Sequence, residues 1–219
     1  MQMVKVMCLH EAVPGVECGE VSLVRGSYQY YHYNCDGTED QGWGCGYRTL
    51  QTLLSWLQLN TTTGPCSVPS LPVIQHTLHT IGDKPADFVG SHDWIGSVEA
   101  GLVVDQLTGL PCRILHARSG SELASLLPLL DQHFTLTGCP AMMGGDRDCS
   151  AKGVFGSATT PTSQHLLILD PHFIAPAGWQ VSKQELVQHG WAKWVDIQSF
   201  DESSFYNLCL PQVGIKCVS

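Results

Sequence analysis

The apolar positions of the chain change period along its length, and that change separates a helical first half from a strand-rich second half. Leu50, Leu53, Leu54 and Leu57 recur at i, i+3, i+4 and i+7 and predict a helix from about Cys45 to Leu59. A second helix is predicted over Leu71–Ile81, with Ser70 as its N-cap and Gly82 closing it. A third runs from about Trp94 to Leu107 and stops before Gly109 and Pro111. Glu122–His133 has helical spacing too, with Pro128 expected to kink it or end it early. Val4–Leu9, Val21–Val24 and Arg113–His116 are candidate short strands. Beyond His133 the apolar runs shorten. Pro140–Met143, His165–Asp170, Trp191–Ile197 and Tyr206–Leu210 predict strands, with one short helix at Lys183–Gln188. Two stretches break the pattern. Tyr28–Gly46 is aromatic and rich in glycine, and Asp146–Pro161 is polar; both read as loops, the second a mobile one. Helices that lead and strands that follow give an α+β class, in one domain over residues 1–219.

Composition narrows the function classes. The chain has 219 residues, 43% of them apolar and only 14% charged. A chain this apolar folds rather than staying disordered. Lys plus Arg number 11 against 20 Asp plus Glu, a formal charge of −9. That balance argues against a basic face for nucleic acid. No apolar run approaches the ~18 residues of a membrane span, and Met1–His10 carries no signal-peptide pattern. A cytoplasmic protein is therefore expected. The ten cysteines include no closely spaced pair, which removes zinc knuckles and thioredoxin-like motifs. In a reducing compartment most of them are expected to be small buried apolar residues. No metal and no cofactor are implied. His76 and His79 lie three apart on a helix but lack a third ligand, and His165 reads as a satisfied core residue. His10, His32, His92, His116, His133 and His189 have no evident partner. Asn60-Thr61-Thr62 fits the glycosylation pattern, which has no meaning in a cytosolic chain.

One cysteine stands apart. On a helical wheel Cys45 falls about 130° from the stripe of Leu50, Leu53, Leu54 and Leu57, so packing does not explain it. It lies instead at the helix N-terminus, where free N–H groups and the helix dipole favour a thiolate. Gly42, Gly44 and Gly46 surround it and permit the close approach of a peptide backbone. Cys45 is thus either a nucleophile or a half-exposed capping residue. A nucleophile needs a base and a group that orients it. His172, in Asp170-Pro171-His172 after the run Leu166-Leu167-Ile168-Leu169, is the best placed of the histidines. Residues i and i+2 of an extended chain share a face, so Asp170 can orient the imidazole. Asp-Pro as ordinary turn chemistry is the alternative.

Five runs carry a family resemblance. They are Gly42-Trp43-Gly44-Cys45-Gly46-Tyr47-Arg48-Thr49-Leu50-Gln51-Thr52, Gly82-Asp83-Lys84-Pro85-Ala86-Asp87-Phe88-Val89-Gly90-Ser91, Trp94-Ile95-Gly96-Ser97, Leu167-Ile168-Leu169-Asp170-Pro171-His172, and Tyr206-Asn207-Leu208-Cys209-Leu210-Pro211. Together they resemble the cysteine proteases specific for the ubiquitin-fold modifier, over residues Tyr28 to Pro211. With about 27 residues ahead of it, the chain resembles the short form rather than the long form with an extra N-terminal domain.

The resemblance implies a papain-like thiol protease that cleaves after the C-terminal glycine of a ubiquitin-fold modifier. It would mature the precursor, remove the modifier from lysines, or both. The resemblance matches Cys45 to the nucleophile, His172 to the base, Asp170 to the orienting acid and Tyr33 to an oxyanion-hole donor. Read as a residue alone, Tyr33 is a packed aromatic, no more eligible than Tyr28, Tyr30 or Tyr31. Trp94, Gly144 and Gly145, with Gly44, are candidate walls of the substrate channel. The partner implied is the modifier itself, met by a monomer. At Asp146-Arg147-Asp148-Cys149-Ser150 the chain departs from the long form, which has a compact strand there. The autophagy-modifier proteases share the Trp-Gly-Cys and Asp-Pro-His stretches, but the Gly82–Ser91 and Tyr206–Pro211 runs favour the first family. An inactive modifier-binding module is the remaining alternative, and the presence of all four catalytic residues weighs against it.

Overall fold

The computed structural model describes residues 6–147, 150–176 and 181–214. Short strands β1 (Val6–Met7) and β3 (Gln29–Tyr30) pair with each other, and β2 (Glu20–Leu23) lies between them in sequence. The helices α1 (Cys45–Asn60), α2 (Leu71–Thr80), α3 (Ser97–Thr108) and α4 (Leu123–Thr137) follow, with β4 (Cys112–Ala117) inserted before α4. The second half holds β5 (Ala141–Gly145), β6 (Ala151–Thr159), β7 (Gln164–Leu169), α5 (Lys183–Gln188), β8 (Ala192–Asp196) and β9 (Tyr206–Pro211). Six strands run in the order β4-β9-β5-β6-β7-β8, and β2 adds a seventh against β6. Every pairing in this sheet is antiparallel. The predicted α+β class is the observed one.

The predicted helix after Cys45 is present, but its surroundings differ from the prediction. Packing was expected along the stripe of Leu50, Leu53, Leu54 and Leu57, with Cys45 away from it, whereas every residue of α1 from Cys45 to Leu57 is buried. The helix packs on β5 and β6 at one side and on α3 and β3 at others. Its polar residues are tolerated because each finds a partner, as buried polar groups must. Ser55 bonds both the N–H and the C=O of Gln29, at 3.0 and 3.1 Å, and the Thr52 hydroxyl accepts the Tyr31 N–H at 2.9 Å. These bonds lash the aromatic stretch 28–33 along α1. That stretch was predicted as loop; part of it is β3.

Three further expectations are corrected. Pro128 does not end α4 early; the helix runs on to Thr137. Leu123, Leu127, Leu130 and Phe134 bury one continuous face, and that burial outweighs the lost backbone bond. The helix begun at Trp94 starts instead at Ser97, where the Gly96 N–H donates to Glu99 Oε2 at 3.0 Å. Finally, much of the predicted mobile loop 146–161 is β6, a nine-residue strand at the middle of the sheet. It pairs with β7 on one side and with β5 and then β2 on the other, with an irregularity between Val154 and Gly156. Its Ala, Gly and Ser residues have low strand propensity, but pairing on both edges overrides it. No helix among the described residues is long and apolar enough to cross a membrane.

Candidate active site

Cys45 is the first residue of α1, so its N–H has no acceptor within the helix and the helix dipole points at its thiol. The chain reaches it through a loop that starts at Tyr33, and a single guanidinium braces that loop. Arg48, one turn along α1 and fully buried, spans two carboxylates. Its Nε lies 2.8 Å from Asp40 Oδ2, and its Nη1 and Nη2 each lie 2.8 Å from an oxygen of Asp36. Asp40 in turn accepts the Asn34 N–H at 2.8 Å, and its carbonyl accepts the Gly44 N–H at 2.8 Å.

The histidine arrives from the sheet. β7 ends at Leu169, and the Asp170 N–H donates to the Trp191 carbonyl at 2.8 Å. Asp170 and His172 were expected to meet as i and i+2 of an extended chain. They meet instead in a turn, where the His172 N–H donates to Asp170 Oδ1 at 3.0 Å. An Asx turn is the geometry a short acidic side chain before proline favours. The same carboxylate oxygen is hydrogen-bonded to His172 Nδ1, which leaves Nε2 for the thiol. Tyr33 is stitched to this turn. Its N–H donates to the Pro171 carbonyl at 2.9 Å, it forms a parallel bridge with Ile174, and its ring meets the His172 ring edge-on at 5.1 Å.

The side chains of His172 and Tyr33 and the backbone of Ala151 act on Cys45 and favour its charged form. Burial opposes a charged sulfur, but these donors prevail and the thiol pKa is lowered from its usual 9.0. His172 is pushed up from 6.5 to about 9, first by the Asp170 hydrogen bond and then by Cys45. Burial likewise works against the Asp170 carboxylate, yet the His172 bonds hold its pKa below the usual 3.8. Both shifts favour a thiolate–imidazolium pair held by a carboxylate. Burial, and the neighbouring Cys45, push the Tyr33 phenol upward, so it stays a protonated donor.

A groove of about 320 Å³ opens from Cys45, between Trp94–Glu99 on one wall and Gly144–Asp146 on the other. His172 lies outside it and lines a second, apolar pocket with Phe173, Ile174 and Trp191. The two recesses flank the Cys45–His172 pair. The structure brings Trp94, Gly144 and Gly145 into the groove. It does not bring Gly44 there: a Cβ at Gly44 would lie 2.0 Å from Asp40 Oδ2, so this glycine serves the loop, not the channel. Trp94 anchors its wall by donating Nε1–H to the Gly42 carbonyl at 3.2 Å.

Peptidase family C78 matches residues 19–209. The chain belongs to that family. It is 43% identical over 213 residues to Ufm1-specific protease 1 of Mus musculus, covering 95% of this chain and 94% of that one. It is also 43% identical over 207 residues to Ufm1-specific protease 2 of Gallus gallus, covering 93% of this chain but 43% of that one. The crystal structure of UfSP from C. elegans matches with a TM-score of 0.82 at 33% identity, over 96% of this chain and 38% of that chain. The chain thus spans less than half the length of the latter two. As a C78 peptidase it is a cysteine protease with a papain-like α+β fold.

Some neighbours escaped the sequence reading. Ala151, which lines the groove with Cys45, lay in a segment read as loop. Arg48 and its two aspartates carried a signal in their close spacing with opposite charge. His32, without an evident partner in sequence, bonds the Tyr33 carbonyl at 2.9 Å and packs edge-on against Phe173 at 4.9 Å. His165 was expected to be a satisfied core residue; it is half-buried, and its Nδ1 has no partner. The cysteines divide more evenly than predicted. Cys8, Cys35, Cys45, Cys139 and Cys209 are buried, while Cys18 and Cys66 are exposed, and all eight described thiols are free. Cys149 and Cys217 lie outside the described residues. His76 and His79 join no metal-binding group of three among the described residues.

Proposed function

We propose that this protein is a Ufm1-type modifier protease that cleaves the bond after the modifier's C-terminal glycine, with Cys45 as nucleophile, His172 as base and acid, and Asp170 orienting the imidazole. The observation that carries this reading is Cys45 at a helix N-terminus, its thiolate favoured by His172 and Tyr33, with His172 Nδ1 hydrogen-bonded to Asp170 and its ring edge-on to Tyr33. The names of its relatives, Ufm1-specific proteases of mouse and chicken, supply the substrate class.

The chemistry follows from the positions. The thiolate attacks the glycine carbonyl carbon, and the C=O electron pair moves to oxygen. The free Cys45 N–H and the Tyr33 hydroxyl are the donors available to that oxyanion. On collapse the C–N bond breaks and His172 gives its proton to the departing amine. A water then loses a proton to His172 and attacks the thioester, releasing the glycine carboxylate and the thiolate. The proton donor sits beside the leaving group, so the leaving side is the His172 side. The groove that contains Cys45 without His172 takes the acyl side, the modifier's tail. The leaving amine is either the start of a precursor extension or a lysine of a conjugate. No residue of this route calls for a metal or cofactor. The free thiols fit a reducing, cytoplasmic setting, and the protein acts as a monomer.

Values of kcat/KM on full-length Ufm1 precursor, ubiquitin and autophagy-modifier precursors test the reading. The Ufm1 precursor is expected to be cut at least about 100-fold faster than either rival, a gap of ~2.7 kcal/mol in transition-state binding. Faster cleavage of the autophagy modifier would assign the chain to the other specificity.

A further inference from the structure

The groove is too small for more than a short tail, so the folded body of any modifier must rest at its outer mouth. That mouth has an unusual surface. Eleven large hydrophobic side chains are exposed among the described residues, and five of them collect here. Trp94, Val98 and Phe205 line the groove itself. Leu102 stands one helical turn beyond Val98 on α3, in the position that shares its face. Ile114, on the edge strand β4, reaches onto α3, since a Cβ at Gly101 would lie 3.5 Å from its Cδ1. These five are 37–53% exposed. The remaining six are spread over β2, the end of α1, α2, the 86–91 turn and α4.

The rim of this patch is polar. Lys84 Nζ and Glu99 Oε1 are 2.8 Å apart, and His116 Nδ1 is 2.7 Å from Asn207 Oδ1 beside Phe205. An apolar centre inside a polar rim is the anatomy of a protein–protein interface. Its continuity with the acyl-side groove selects the occupant. Resting on the function proposed above, we infer that Val98, Leu102, Ile114 and Phe205 form the docking surface for the folded domain of the ubiquitin-fold modifier, through an apolar face next to the modifier's tail. The leaving-side protein meets the His172 side and does not touch this patch. Docking here supplies the binding energy that places the scissile glycine at Cys45, so a free tail peptide lacks it.

Leu102 and Ile114 are exposed and lie outside the groove, so substitution there spares both the core and the channel. Steady-state kinetics of Leu102→Glu and Ile114→Glu on the full-length Ufm1 precursor, beside a fluorogenic peptide of the tail alone, test the inference. The expected result is a KM for the precursor raised at least about tenfold, as for loss of an interface anchor, with kcat/KM on the peptide unchanged. Equal losses on both substrates, or no loss on the precursor, would overturn it. So would sedimentation showing a dimer of this chain that the variants dissolve, because the patch would then hold a second copy. Wild-type protein that cuts neither substrate would instead sink the underlying functional reading, and the two failures are therefore distinguishable.

Discussion

Arg48 and Asp40 form an ion pair in which neither side chain retains any exposed surface, with Nε and Oδ2 2.8 Å apart. Asp40 precedes the nucleophile by five residues and Arg48 follows it by three, so the pair closes the chain around Cys45. Asp36 adds a second carboxylate that is partly exposed. Its pKa is held well below the usual range by Arg48 despite burial that works the other way. A buried pair of this kind contributes specificity more than net stability, but removing one partner leaves an uncompensated charge. Asp40→Ala is expected to destabilise the fold by roughly 3–5 kcal/mol, read as a shift of the urea midpoint. Asp40→Asn, which keeps oxygen and nitrogen in place, should lose less. An unchanged midpoint for the alanine variant would mean that the loop does not depend on this pair.

Tyr33 offers a sharper test of chemistry than of folding. It is buried, and its backbone is fixed by the Pro171 carbonyl and by the bridge to Ile174. Removing the hydroxyl alone should leave that frame intact. Tyr33→Phe is expected to lower kcat by roughly 10- to 1000-fold with little change in KM, because an oxyanion donor acts only in the transition state. Circular dichroism of the variant must match wild type. A normal kcat in a folded variant would leave Tyr33 as packing only.

The pH dependence follows from the two shifts. Cys45 is lowered from 9.0 and His172 is raised to about 9, so the ion pair exists between them. The profile of kcat/KM should rise through the depressed thiol pKa and fall near pH 9 as His172 loses its proton. The stability linkage has the matching sign. His172 titrates higher in the folded state than the 6.5 of the unfolded chain, so its contribution is complete below 6.5 and is lost as pH rises through about 9. Asp170 titrates lower when folded, so its contribution is present above 3.8 and lost as pH falls through the depressed value. Cys45→Ser removes one of the two partners that raise His172, and NMR titration should find the imidazole pKa lower than in wild type. A histidine that titrates unchanged in the serine variant would show that the two side chains do not interact.

The sequence made some of this site legible for physical reasons that apply residue by residue. α5 was found at its observed bounds, Lys183–Gln188, and the structure shows Ser182 and Glu185 forming a capping box at its start, a signal local to the sequence. Cys45 was found as a helix start by counting back from a leucine stripe. The stripe marked only one packing face, since nothing local reveals that Thr49, Thr52 and Ser55 bond neighbouring backbone. β6 was missed because Gly153, Gly156 and Ser157 are residues of turns in isolation. They form a strand only between partners that lie elsewhere in the chain. Pro128 misled for the same reason, its local cost being outweighed by a face buried on the sheet. Tyr33 was reachable only through the family resemblance. Three other tyrosines lie within five residues of it, and what singles it out is a bridge to Ile174, about 140 residues away.

Attack by Cys45 on the modifier's terminal glycine is open to direct covalent capture. The protein is incubated with Ufm1 bearing an electrophile in place of the carboxyl group, and the adduct is located by peptide mass spectrometry. A single adduct is expected at Cys45, lost in Cys45→Ser and slowed in His172→Ala. The exposed thiols Cys18 and Cys66 serve as internal controls and should remain unmodified at short times. An adduct on any other cysteine, or none on folded wild-type protein, would contradict it.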